Sequence, residues 1–175
     1  MHAAVVAAIP YKLPVAHIAG GESTEGAIDE AMRHSITKMS HLHFVTTEVY
    51  GDRVVQMGEE PWRVIVSGAP SLDNIQDMRL LTREELERQC ALQLVDDTLL
   101  VTFHPVTLEY EDTETHVREL FAALREVGTS VVVTNPNADT GSRLVSDIIK
   151  DVTSQDERFH LVHNMGTQAY FSLMR

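Results

Sequence analysis

The sequence predicts an α/β protein with two Rossmann-like, doubly wound halves built on parallel sheets. Three observations predict this class. Short β-branched runs recur at about thirty-residue spacing. The stretches between them carry the apolar period of amphipathic helices. The runs are hydrophobic nearly throughout rather than alternating, as strands covered by helices on both sheet faces must be.

The chain begins Met1-His2-Ala3-Ala4-Val5-Val6-Ala7-Ala8-Ile9, a small, apolar helical segment with no N-cap before it, as in an interior piece of a longer protein. The predicted strands are Val15–Ile18, His43–Thr46, Arg63–Val66, Thr98–Phe103, Thr129–Thr134 and Phe159–His163. After the first, Thr24 is placed to cap a helix whose apolar positions Ile28, Met32, Ile36 and Met39 form one stripe facing a sheet. Between Ser71 and Arg83 the pattern lapses into a polar stretch with Asp73, Asn74, Gln76 and Asp77, read as a linker. Thr82 and Glu85 then make a capping box, and Leu86, Cys90 and Leu94 follow at four-residue intervals, giving Cys90 a core role. Val117, Leu120, Phe121 and Leu124 mark the buried face of the next helix, and Leu144, Val145, Ile148, Ile149 and Val152 that of the one after.

Composition narrows the function classes. The 175 residues carry Lys+Arg 14 against Asp+Glu 26, a formal net charge of -12, which argues against a nucleic-acid partner. A lone Cys90 can form no internal disulfide and no thiolate cluster, as expected in a reducing compartment. No apolar run approaches the ~18 residues of a spanning helix, and Met1–Val15 lacks the features of a secretory signal, so the expectation is a cytoplasmic protein without a membrane partner.

In doubly wound sheets, ligands bind beyond the carboxyl ends of strands. The first such segment is His17-Ile-Ala-Gly-Gly-Glu-Ser-Thr-Glu-Gly26, whose glycines permit close backbone approach and whose following helix offers N–H groups to an anion. Neither a G-x-G-x-x-G nor a Walker-type phosphate loop accompanies it. Asp29 and Arg33, one helical turn apart, make an ordinary ion pair or a carboxylate prepared for proton transfer beside a phosphate-binding guanidinium. His41 and His43, two apart, would share a strand face, but no third ligand at supportive spacing points to a metal. His104 follows the fourth strand, where it can hold a pyrophosphate, shuttle a proton or simply end a strand. Asn137 and Asp139 follow the fifth strand with side chains suited to ribose hydroxyls, and Gly141 and Ser142 stand where backbone amides meet phosphate.

Four motifs resemble the hydrolysing UDP-N-acetylglucosamine 2-epimerases of the sialic and legionaminic acid branch: the run from His17 to Phe44, Gly68-Ala-Pro-Ser-Leu-Asp-Asn-Ile75, Thr102-Phe-His-Pro-Val-Thr-Leu-Glu109, and Pro136-Asn-Ala-Asp-Thr-Gly-Ser142. The resemblance implies a GT-B-like fold that binds UDP-N-acetylglucosamine between two halves, both incomplete in this chain. It assigns residues 1–75 to the C-terminal part of an N-terminal domain, 76–95 to a linker and crossing helix, and 96–175 to the first part of a UDP-binding domain. It also implies elimination of UDP and release of N-acetylmannosamine without a cofactor or metal, in a homodimer. By the same resemblance Asp29, Arg33 and His104 are catalytic, His17 lines the sugar pocket, and Asn137, Asp139 and Ser142 bind the nucleotide. Many relatives carry Glu where this chain has Ala19, and Glu22 is the candidate to supply that acid, ahead of Glu25. The rival expectation is a non-catalytic nucleotide-sugar-binding module.

Overall fold

The computed structural model describes residues 1–138 and 141–175. The chain divides into two compact units, Met1–Asp77 and Met78–Arg175. Each holds a parallel three-stranded sheet.

In the first unit the order is α1 (His2–Ala8), β1 (Ala16–Ile18), α2 (Asp29–Lys38), β2 (Leu42–Val45), α3 (Glu48–Gln56), β3 (Val64–Val66) and α4 (Pro70–Gln76). The strands lie β1-β2-β3, with His17, His43 and Val64 in one register row. Alternation then puts Val45 and Val66 on the same face as the two histidines. Helix α3 covers that face through Gly51, where an added Cβ would stand at ordinary contact distance, 3.4 Å from Val45 and 3.5 Å from Val64. On the opposite face Ile18 and Ile65 are 59% and 40% exposed.

The second unit runs α5 (Arg83–Cys90), β4 (Leu99–Val101), α6 (Thr113–Val127), β5 (Val131–Thr134), α7 (Ser142–Gln155), β6 (Phe159–Val162) and α8 (Gly166–Leu173). Its strands lie β4-β5-β6. Here both faces are covered. Val131, Val133 and Phe159 pack with Val117, Phe121, Val145 and Ile149 of α6 and α7. On the other side Val132 and Val162 pack with Leu86, Met165 and Ala169, and Cys90 contributes from the margin. The predicted capping box forms, with Thr82 and Glu85 each accepting from the other's backbone N–H.

Several local expectations change. Thr24 does not cap α2, which starts at Asp29 after Ile28, because Gly26 turns the chain at φ +72° between them. Of the expected stripe Ile36 is buried, joined by Thr37, whereas Ile28 and Met32 are exposed. The first half of the polar stretch from Ser71 is helical, since Pro70 supplies the φ of a first turn and α4 extends to Gln76, and residues 77–82 are irregular. Leu144 lies on the exposed side of α7. His41 precedes β2 rather than sharing its face with His43. No helix among the described residues is long and apolar enough to cross a membrane.

Candidate active site

The chain leaves β1 through a turn that the rest of the first unit holds in place. Ala19 adopts a left-handed φ of +60°, uncommon for a residue with a Cβ, while its N–H donates to the Phe44 carbonyl at 2.9 Å. Gly21, at φ +77°, lies so near α3 that a Cβ would stand 2.4 Å from the Tyr50 carbonyl oxygen, so only glycine fits. Arg53 of α3 donates to the Gly21 carbonyl. Glu22 comes next, and its Oε1 accepts from Thr46 Oγ1 at 3.1 Å.

Arg33 ties this turn to α2. Its Nη2 donates to Asp29 Oδ2 at 2.6 Å, and its Nη1 donates to the Glu22 carbonyl and to Thr24 Oγ1, each at 3.2 Å. A partly exposed i, i+4 ion pair contributes only about 0.3–0.5 kcal/mol, so these bonds matter more for aim than for stability. The α2 first turn carries Asp29 and Glu30, and Glu30 accepts from the Thr24 N–H at 2.8 Å and from Ser23 Oγ at 3.1 Å. Those hydrogen bonds hold the Glu30 carboxyl below its usual pKa.

His17 points inward from β1 and is buried. Its Nδ1 lies 3.2 Å from Thr37 Oγ1. Burial, followed by the neighbouring His43, Arg33 and His34, pushes its pKa below that of a free imidazole, favouring the neutral ring. Beneath it His43 is fully buried, with Nε2 3.2 Å from Glu59, whose other oxygen accepts from Lys38. Burial alone would raise the Glu59 pKa, but hydrogen bonds from Lys38 and His43 outweigh it and leave it lowered.

Four of the residues singled out in the sequence, His17, Glu22, Asp29 and Arg33, line one hollow of ≈ 580 Å³ with Met32 and Ile36. Glu25 is exposed and outside it. The hollow therefore joins two carboxylates, a guanidinium and a neutral imidazole to an apolar wall, a combination suited to a polar, partly apolar ligand and to proton transfer. Sequence reasoning missed Thr37, Thr46 and His2. Thr37 had a signal, one turn beyond Arg33 on the same helix. His2 had none, because α1 reaches the hollow only through tertiary packing.

In the second unit His104 lies exposed just beyond β4, and Asn137 lies exposed in the loop after β5. Ser142 opens α7 directly after Gly141, which takes φ +87°. A Cβ at Gly141 would stand 3.5 Å from Pro105, so the loops after β4 and β5 abut at the α7 start. Unlike α2, α7 has no acidic residue in its first turn. Asp139 lies outside the described residues. A second hollow of ≈ 440 Å³ opens beyond β5 and β6, where Thr134, His163, Asn164, Gly166, Tyr170 and Phe171 contribute to its wall. Beside it Thr102 Oγ1 meets Thr134 Oγ1 at 2.8 Å and the Tyr170 hydroxyl at 3.1 Å, and Asn135 Nδ2 lies 3.1 Å from His163 Nδ1. Thr102, Asn135 and His163 stand just beyond strand ends and were open to the same inference as His104, whereas Tyr170 and Phe171 come from α8. Among the described residues no group of three or more His, Cys, Asp or Glu side chains is arranged to hold a metal.

Comparison with known proteins fits this architecture. The GDP/UDP-N,N'-diacetylbacillosamine 2-epimerase (hydrolyzing) of Campylobacter jejuni is 38% identical over 165 residues, covering 93% of this chain and 43% of that protein. The UDP-N-acetylglucosamine 2-epimerase of Neisseria meningitidis is 35% identical over 148 residues, covering 84% of this chain and 38% of its own length. The chain thus spans less than half the length of these relatives. Among solved structures, UDP-GlcNAc 2-epimerase from Neisseria meningitidis bound to UDP-GlcNAc superposes with TM-score 0.77 at 22% identity, over 99% of this chain and 48% of that one. The Methanocaldococcus jannaschii enzyme in complex with UDP-GlcNAc and UDP also gives TM-score 0.77, at 17% identity, over 98% and 48% of the two chains. The fold class expected from the sequence is therefore the observed one, α/β with two Rossmann-like, GT-B-like halves. With residues 1–175 all matched by the family described as UDP-N-acetylglucosamine 2-epimerase, the chain belongs to that family.

Proposed function

We propose that this chain carries sugar-side and nucleotide-side elements of a hydrolysing 2-epimerase acting on UDP-N-acetylglucosamine. The observation that supports this most is the single hollow walled by His17, Glu22, Asp29 and Arg33. The reaction removes the proton from C2 of the sugar and breaks the C1–oxygen bond to UDP, leaving a C1=C2 double bond. Water then adds, with hydroxyl to C1 and a proton to the opposite face of C2, releasing N-acetylmannosamine for sialic- or legionaminic-type sugars.

A weakly acidic C–H needs a positioned base, and the departing diphosphate needs a cation or oriented donors. Asp29 and Glu22 are the acid–base candidates, and Arg33 faces the developing negative charge. His104, with Asn137, Asp139 and Ser142 near the α7 start, takes the nucleotide side. On this reading residues 1–75 carry the hexosamine-side loop, residues 96–175 carry the nucleotide-side loops, and 76–95 connects them. The working form is a cytoplasmic homodimer that requires no cofactor, metal, nucleic acid or membrane.

A second substrate, UDP-N,N'-diacetylbacillosamine, is favoured by the 38% identity to the Campylobacter jejuni protein named for it. Incubating the protein with each nucleotide sugar and assaying UDP and the free 2-epimeric hexosamine tests both. The expected outcome is stoichiometric release, reduced about 10²–10⁴-fold by Asp29→Asn. Nucleotide-sugar binding without any release would instead favour the non-catalytic binding module.

A further inference from the structure

The Thr37 hydroxyl has one proton and two partners that could receive it. Its Oγ1 lies 3.2 Å from the Arg33 carbonyl, one helical turn back, and 3.2 Å from His17 Nδ1. A carbonyl oxygen can only accept, so the Thr37 proton goes to Arg33 and the Thr37 lone pair is left toward His17. The bond to His17 is then completed only if Nδ1 carries a hydrogen. A neutral imidazole protonated at Nδ1 has its lone pair at Nε2.

The surroundings hold the ring in this orientation. A Cβ at Gly20 would stand 2.8 Å from His17 Nδ1 and 3.1 Å from Cε1, so the backbone packs tightly against that ring edge. His43, its register partner, is itself engaged through Nε2 with Glu59. His17 nevertheless contributes to the wall of the hollow. A lone pair presented to that hollow would repel phosphate oxygens and attract a donor, and the donors a hexosamine offers most abundantly are its hydroxyls.

We propose that Thr37 is a positioning residue that fixes His17 as the Nδ1–H tautomer, so that Nε2 accepts a hydrogen bond from a hydroxyl of the bound hexosamine. The acceptor half rests on the nucleotide-sugar reading above, whereas the tautomer half stands without any ligand. His17 thereby distinguishes the sugar from the diphosphate, which Arg33 favours.

The test uses the 175-residue chain with ¹⁵N-labelled histidine, Thr37→Val and Thr37→Ser variants, and UDP-N-acetylglucosamine as the probe. Long-range ¹H–¹⁵N spectra of the ligand-free protein at neutral pH should give His17 a pyrrole-type Nδ1 and a pyridine-type Nε2. Thr37→Val should abolish that preference and Thr37→Ser restore it. Adding the nucleotide sugar should shift the Nε2 resonance, with affinity about tenfold weaker in Thr37→Val and within about twofold of the parent in Thr37→Ser. A pyridine-type Nδ1 in the parent overturns the tautomer assignment, and this spectrum decides it even if Thr37→Val does not fold. An unchanged spectrum in folded Thr37→Val overturns the role of Thr37. An unmoved Nε2 in a saturated complex overturns the acceptor role alone, and no binding at all overturns the functional reading and the acceptor role with it, leaving the tautomer result intact.

Discussion

The two three-stranded sheets have the same strand number and direction, yet they are finished differently. Around β4–β6 both faces are closed by helices, and the central strand contributes Val131, Val132 and Val133, all fully buried. Around β1–β3 one face carries exposed Ile18 and Ile65, and the closed face buries His17 and His43. The contrast separates two uses of the same layer. The second unit buries apolar side chains on its strands and its buried polar groups, Thr113 and Ser172, only on its helices, whereas the first buries imidazoles on the strands themselves, with Thr37 and Ser40 beside them. His17, Thr37, Ser40 and His43 Nε2 find partners, whereas His43 Nδ1 has none among the described residues, and the partners determine which atoms remain available to a ligand.

The largest expected effect that sharpens this comparison comes from placing a hydroxyl in each sheet. Val132→Thr should cost about 2–3 kcal/mol by urea denaturation, the lost methyl adding to a buried hydroxyl. Ile18→Thr on the open face should cost under about 1 kcal/mol. Equal costs would mean that the open face is covered in solution. Next come two glycines of the first unit. Gly21→Ala should destabilise by about 2 kcal/mol or more, because its Cβ meets the Tyr50 carbonyl at positive φ. Gly51→Ala meets Val45 only at ordinary contact distance within α3, so it should be neutral or stabilising by up to about 1 kcal/mol. If both cost the same, close packing rather than backbone geometry governs the turn.

The smallest effect is on pH dependence. His17 has a folded-state pKa below its unfolded value of 6.5. The unfolded chain therefore takes up the proton first as pH falls, and stability present above pH 6.5 is lost progressively down through the folded pKa. His17→Gln should flatten that part of the profile for the first unit, read from denaturation midpoints at pH 7.5 and at lower pH. An unchanged slope would show that other groups carry it.

Much of the layer structure was legible because β-branched runs and amphipathic periods are local signals. Val117, Phe121 and Leu124 on α6, and the Thr82–Glu85 box, required nothing beyond sequence spacing. The start of α2 was less legible: Thr24 is a good cap by residue type, but Gly26 redirects the chain and Glu30 captures the turn's donors. Asp29 and Arg33 could be paired from their spacing alone. Their meeting with His17 and Glu22 could not, because it depends on where β1 and α3 hold the turn. The histidine pair misled for a related reason. His41 accepts from the Val15 N–H at 3.1 Å before β2 begins, and so never enters the strand's alternation.

Helix α3 adds nothing to the hollow's wall, yet the turn bearing Glu22 is moored to it twice, by the fit of Gly21 beneath the Tyr50 carbonyl and by the reach of Arg53 to the Gly21 carbonyl. A ligand that pulls on Glu22 would load those moorings before it could bend β1. The stiffness of the carboxylate's perch is thereby delegated to a helix remote in sequence, and substitutions along its inner side would shift Glu22 without touching the wall of the hollow.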